Sequence, residues 1–174
     1  MLRALRSWKV LVGLAVLVGV GAWLAFGLFE VQTLFIDDKV DEAAPRFTPA
    51  APAPAAVVTP APQPTPSLTG TFVSRSHPTK GTAVVLSDGA DRRVLRLDQL
   101  STENGPDLNV YLSAAPADAP AGRFDDDFVD LGDLKGNIGS QNYELPAGVD
   151  LARYRTVVIW CVRFHVAFGS APLA

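Results

Sequence analysis

Hydrophobic and polar positions fall into three regimes along the chain. Val10 to Phe29 are twenty consecutive positions without a charge. The hydrocarbon core of a bilayer takes about 20 apolar residues of helix to cross, so this run predicts a transmembrane helix over residues 10–29. From Pro45 to Pro66 the chain is nearly all Pro, Ala, Thr and Val, and its repeated prolines leave no room for helix or sheet. From Leu68 onward the pattern is short and strand-like: "GTFVS", "GTAVVLS", "RVLRLDQL", "LNVYLS", "FVDLGDL", "QNYEL" and "TVVIWCVRFHVAF". Turn-forming stretches such as "SDGAD", "ENGPD", "KGNIGS" and "PAGVD" separate them. Strands at that spacing predict an all-β domain, an antiparallel β-sandwich over residues 68–174. No ten-residue stretch of this part has a helical period.

The flanks of the apolar run set its orientation. Arg3, Arg6 and Lys9 precede it, and Glu30, Asp37 and Asp38 follow it. Basic residues stay on the cytoplasmic side, so residues 1–9 are expected inside and the rest outside, with Trp8 at the interface. A cleaved signal would have a shorter apolar region and end at a small-x-small site. "WLAFGLFE" offers none, so an uncleaved single-pass anchor in the cell membrane is expected, with the bilayer as partner through residues 10–29. Residues 30–67, proline-rich from 45, are then an extracytoplasmic linker. As polyproline II such a tract is a semi-rigid spacer, reaching roughly 70 Å at about 3.1 Å per residue.

Charge and motif content exclude several functions. From Leu68 on there are ten Lys/Arg and thirteen Asp/Glu, and no basic patch with interleaved aromatics, which argues against nucleic acid. No G-x-S-x-G, P-loop or dinucleotide fingerprint is present. One cysteine and two histidines do not make a closed zinc site. The run Asp125, Asp126, Asp127 lacks the spacing of a calcium loop and is expected to be a solvated loop. No metal is expected.

The candidate chemistry centres on Cys161. Read as one continuous strand, residues 157–168 put Val158, Trp160, Val162, Phe164, Val166 and Phe168 on one wholly apolar face, expected to point into the core. Cys161, Arg163 and His165 fall on the other face. Arg163 would lie about 6.5–7 Å from Cys161 between Cα atoms, and a nearby cation favours the reactive thiolate. His165 would lie about 13 Å away, too far for a cysteine–histidine pair. His77, in "SHPTKG", is able to approach from another strand. Free cysteine is also among the most buried residue types, so quiet burial stays open. An unpaired cysteine outside the membrane equally suggests a reactive thiol or an intermolecular bridge.

Four parts of the domain, in order, resemble the DM13 family, which is linked to electron transfer. "GTFVSRSHPTKGTAVVL" resembles its opening Gly-x-Phe strand with the following His and Gly. "NGPDLNVYLS" resembles its central Gly-Pro-Asp-Leu motif. "DLGDLKGNIGSQNYELP" resembles its Leu-Gly-x-Leu-Lys-Gly segment and Gln-Asn-Tyr turn, and "VVIWCVRFHVAFGSAPL" its closing, cysteine-bearing strand. The resemblance covers about residues 68–174. It implies a DOMON-like β-sandwich in which Cys161 is a redox thiol or helps hold a prosthetic group such as haem, with His77 as a second contact. His165 is not implied as a ligand. Two functions follow as expectations. One is a membrane-anchored extracytoplasmic electron-transfer module working through Cys161, tuned by Arg163, with an unidentified protein redox partner. The other is a cell-surface binding or assembly module in which Cys161 is structural. A classical enzyme is the more distant reading.

Overall fold

In the computed structural model, residues 2–24, 27, 37–47, 65–89 and 91–174 are described, with side chains from Trp8 onward. The helix α1 runs Leu2–Trp23, and its described side chains from Trp8 to Trp23 are exposed. Among the described residues no helix is long and apolar enough to cross a membrane. The end of the expected span, residues 25–26 and 28–29, lies outside them, as does most of the proline-rich tract, residues 48–64.

The remainder is mostly β, in two five-stranded sheets. The strands are β1 (Lys39–Asp41), β2 (Thr65–Thr71), β3 (Val73–Ser74), β4 (Thr79–Ser87), β5 (Arg93–Thr102), β6 (Leu108–Ser113), β7 (Phe128–Asp133), β8 (Ile138–Glu144), β9 (Thr156–Cys161) and β10 (Val166–Pro172). The first sheet has the order β1-β8-β5-β4-β2 and the second β3-β10-β9-β6-β7. All pairings are antiparallel except β1 with β8. Inward residues alternate with outward ones, as sandwich packing requires. Val85, Leu95, Leu97, Val110, Leu112 and Ile159 meet between the sheets in one cluster. Phe72, 5% exposed, sits where the chain passes from β2 in the first sheet to β3 in the second. At the other end of β10, Ala174 and Thr69 exchange backbone hydrogen bonds of 2.9 and 3.0 Å and tie the two sheets together.

Two features differ from the sequence expectation. Residues 37–47 and 65–67, read as linker, are built into the sandwich. β1 pairs in register with β8, Lys39 opposite Ile138 and Asp41 opposite Ser140. Glu42 accepts from Lys135 Nζ and from the Asn142 backbone, each at 2.7 Å. Phe47, 2% exposed, packs on Leu86 and Val94 on the outer side of the first sheet. The second difference lies in "TVVIWCVRFHVAF". It is a hairpin, β9 and β10 joined by a turn over residues 162–165, with Val166 opposite Cys161.

Candidate functional site

Strand β9 is buried on both faces, all six residues. Val157, Ile159 and Cys161 belong to the inter-sheet core. Val158 and Trp160 belong to a second cluster on the outer side of the sheet, with Tyr111 and Phe124. The alternation of faces is as expected, but the assignment of the core face is reversed. Cys161 lies on the main core face and is 0% exposed. The reason is the segment 114–127, which folds over the outer face and covers it with Phe124, also 0% exposed. Past Cys161 the chain reverses, so the expected aromatic wall ends at Trp160, and Phe164 is 58% exposed in the turn.

The thiol is roofed by the "GPDL" stretch. Cys161 Sγ donates to the Pro106 carbonyl at 3.4 Å. Val162 N–H donates to the Asp107 carbonyl at 2.9 Å, and Leu108 is the register partner of Cys161 on β6. Gly105 lets this roof come down: a Cβ there would meet the Phe168 ring at 2.8 Å. Two residues flanking the thiol have left-handed backbones, Asp107 at φ +78° and His165 at +51°. Aspartate and histidine visit that region more readily than most residues, and such positions gather at turns and at functional sites.

Burial is the largest influence on the Cys161 thiol and pushes its pKa up. The backbone N–H groups of Phe164 and Arg163 pull the other way, Asp107 adds to the rise, and the Arg163 charge has the smallest influence. The net direction is upward, so the thiol is protonated at neutral pH. Arg163, expected to hold it as thiolate, is exposed in the turn and is outweighed.

His165 and Cys161 part company because the hairpin sends them to different sides. The His165 ring meets Trp160 edge-on at 6.4 Å on the outer face, and its Nδ1 lies 3.3 Å from Asp125 Oδ2. His77 lies in the β3–β4 loop, its ring 3.8 Å from that of Phe168 and its Nδ1 donating to Glu103 at 2.7 Å. Phe168 is itself in the cluster that holds Cys161. His77 is therefore one aromatic ring removed from the thiol's surroundings.

A haem does not fit these residues as arranged. The sulfur is closed in on all sides, with Pro106 and core side chains where an iron and a macrocycle would stand. His77 Nδ1 is held by Glu103, which leaves Nε2, but the Phe168 ring stands between His77 and the thiol's surroundings. Beyond the roof lies a polar cavity of about 240 Å³, lined by Asp38, Asn104, Gly105, Asp107, Leu108 and Asn137, among others. Among the described residues no group of three or more His, Cys, Asp or Glu side chains is placed to hold a metal ion.

The sequence reasoning missed Pro106 and Asp107 as the cover of the thiol. The signal was in the sequence: a Gly-Pro-Asp-Leu turn leading into a strand that pairs with the cysteine's own.

Fold and site together define a two-sheet β-sandwich with one occluded core thiol. The family model described as "Electron transfer DM13" matches residues 71–173, more than half of the chain, and the chain belongs to that family. No curated protein and no solved structure matched it.

Proposed function

We propose that this DM13 domain, a sandwich of DOMON-like kinship, takes part in electron transfer outside the cell membrane. Residues 10–29 anchor it, and Cys161 works as an occluded redox thiol. The family's description supports the electron-transfer part. The anchor is supported by α1 itself: its residues from Val10 to Trp23 carry no charge and are exposed all round, a surface suited to lipid rather than water. One observation carries the thiol's role. The chain's single cysteine lies under a roof one loop thick, between two residues with left-handed backbone.

In the closed domain the protonated thiol is inert, since the thiolate is the nucleophile. When the 104–107 loop lifts, the thiol loses its proton to solvent. The thiolate then attacks a disulfide carried by the redox partner. A Cys161–partner disulfide forms, the partner's S–S bond breaks, and the departing sulfur leaves as a thiolate that takes up a proton. The Cys161 sulfur is oxidised and the departing sulfur reduced.

The burial of Cys161 favours the second reading, a surface binding module with a structural cysteine. Maleimide labelling of the folded full chain separates the two. Local openings cost less free energy than global unfolding, so a working thiol should label far faster than the chain unfolds, and faster still with rising pH. Labelling only at the global unfolding rate would sink the redox thiol and leave the structural one.

A further inference from the structure

A second cavity, of about 590 Å³, lies away from Cys161 where the end of β10 meets the 116–118 segment. Val73, Ala117, Pro172 and Leu173 contribute its apolar wall, and Arg75 and Arg155 line it together with the exposed Asp118, so its basic side chains outnumber its acidic one. Val73 is 56% exposed there, unusual for a valine beside a formed core. These two arginines, like Arg93, are held by backbone carbonyls. Arg92, Arg96, Arg123 and Arg153 each pair with a carboxylate. Among the described residues neither Arg75 nor Arg155 meets one within ion-pair distance. Arg75 donates to the carbonyls of Asp118 and Ala119, and Arg155 to the carbonyl of Leu173.

We propose that this cavity binds a free amphipathic carboxylate of the medium-chain fatty acid type, independently of the redox reading above. Carbonyl partners hold each guanidinium in place without neutralising it, and a guanidinium has five N–H donors, so each keeps donors to spare. An anion meeting two such groups gains charge-assisted hydrogen bonds. The apolar wall then takes the chain. Predominantly apolar walls with a few fixed polar groups are the usual make-up of a small-molecule site, and the volume is in the usual range.

The test is calorimetric titration of octanoate into the full chain held in lipid nanodiscs, with empty nanodiscs as the blank. Octyltrimethylammonium, with the same chain and the opposite charge, is the control. Saturable octanoate binding is expected, with none for the cation. Arg155→Glu should weaken it at least tenfold. Ala117→Trp, which fills the cavity, should remove it while leaving the melting temperature unchanged. Equal binding of the cation, octanoate binding that survives Ala117→Trp in the folded variant, or no saturable octanoate binding would each overturn the proposal.

Discussion

Cys161 and Tyr143 both keep their protons more tightly in the folded chain than outside it. Burial is the leading cause for each. For Tyr143, the Lys135 N–H lowers the pKa while Glu42 and Asp133 raise it, and the result is about 12. The sign for stability follows from linkage. Below the unfolded-state pKa both states hold the proton and the contribution is complete. As pH climbs past that value the unfolded chain releases its proton first, and stability is lost until the folded group titrates. For Cys161 that loss begins near about 8.5, and for Tyr143 near about 10. The melting temperature should therefore fall in two stages above neutral pH. Cys161→Ala should abolish the first stage and cost about 1–2 kcal/mol at pH 7, read by urea denaturation. An unchanged alkaline profile in that variant would show that the thiol does not titrate with folding.

At the scale of elements, β1 depends on a glycine of β8. Gly139 has φ +111°, and a Cβ there would stand 1.9 Å from the Val40 carbonyl oxygen. No side chain fits without moving β1, and the backbone conformation itself disfavours one. Gly139→Ala should lose about 2 kcal/mol or more, through strain at a special backbone position. Hydrogen exchange should place the loss at the Glu42 amide, bonded to the Ser140 carbonyl at 2.7 Å, while the β9 amides stay protected. Uniform loss of protection would mean that β1 is not a separable element. β1 also marks a limit of the sequence pattern. "KVD" has one apolar residue and no alternation to read; what makes it a strand is the glycine-bearing edge it meets almost a hundred residues later. The strands β4 to β8 were legible because their apolar positions alternate and glycine, proline, asparagine or aspartate mark their ends. The β9–β10 turn was not, because its residues Val162, Arg163, Phe164 and His165 include none of those. His165 takes the left-handed position that glycine usually announces. That hidden turn ended the expected aromatic face at Trp160, and the cover by segment 114–127, which nothing in β9 announces, is why Cys161 was placed on the wrong face; its importance as the single thiol was plain from composition.

For the whole molecule, building residues 37–47 into the sandwich shortens the tether. If residues 10–29 are the anchor, the stretch left to span to the domain is residues 30–36, seven positions before Asp37. Fully extended, that reaches about 25 Å, well short of the spacer expected from the proline tract. Most of the tract, residues 48–64, falls between Phe47 and Thr65, both held on the first sheet. Inserting ten residues into 48–64 should leave the domain's height above the bilayer unchanged, and the same insertion within 30–36 should raise it. Energy transfer from a dye on the domain to a lipid dye measures both. A height that follows the first insertion would contradict the docking of β1.

The docked segment also changes what a protease can do to this protein. Exposed tracts rich in small residues are the usual places for a nick, and a linker cut there would ordinarily shed the domain. Here a cut between Phe47 and Thr65 leaves two pieces of one sandwich. The N-terminal piece still holds β1 on β8, Glu42 between Lys135 and Asn142, and Phe47 on Leu86 and Val94. The severed domain stays bound to its own N-terminal stub as a non-covalent complex, and its release is governed by how fast that strand unpairs.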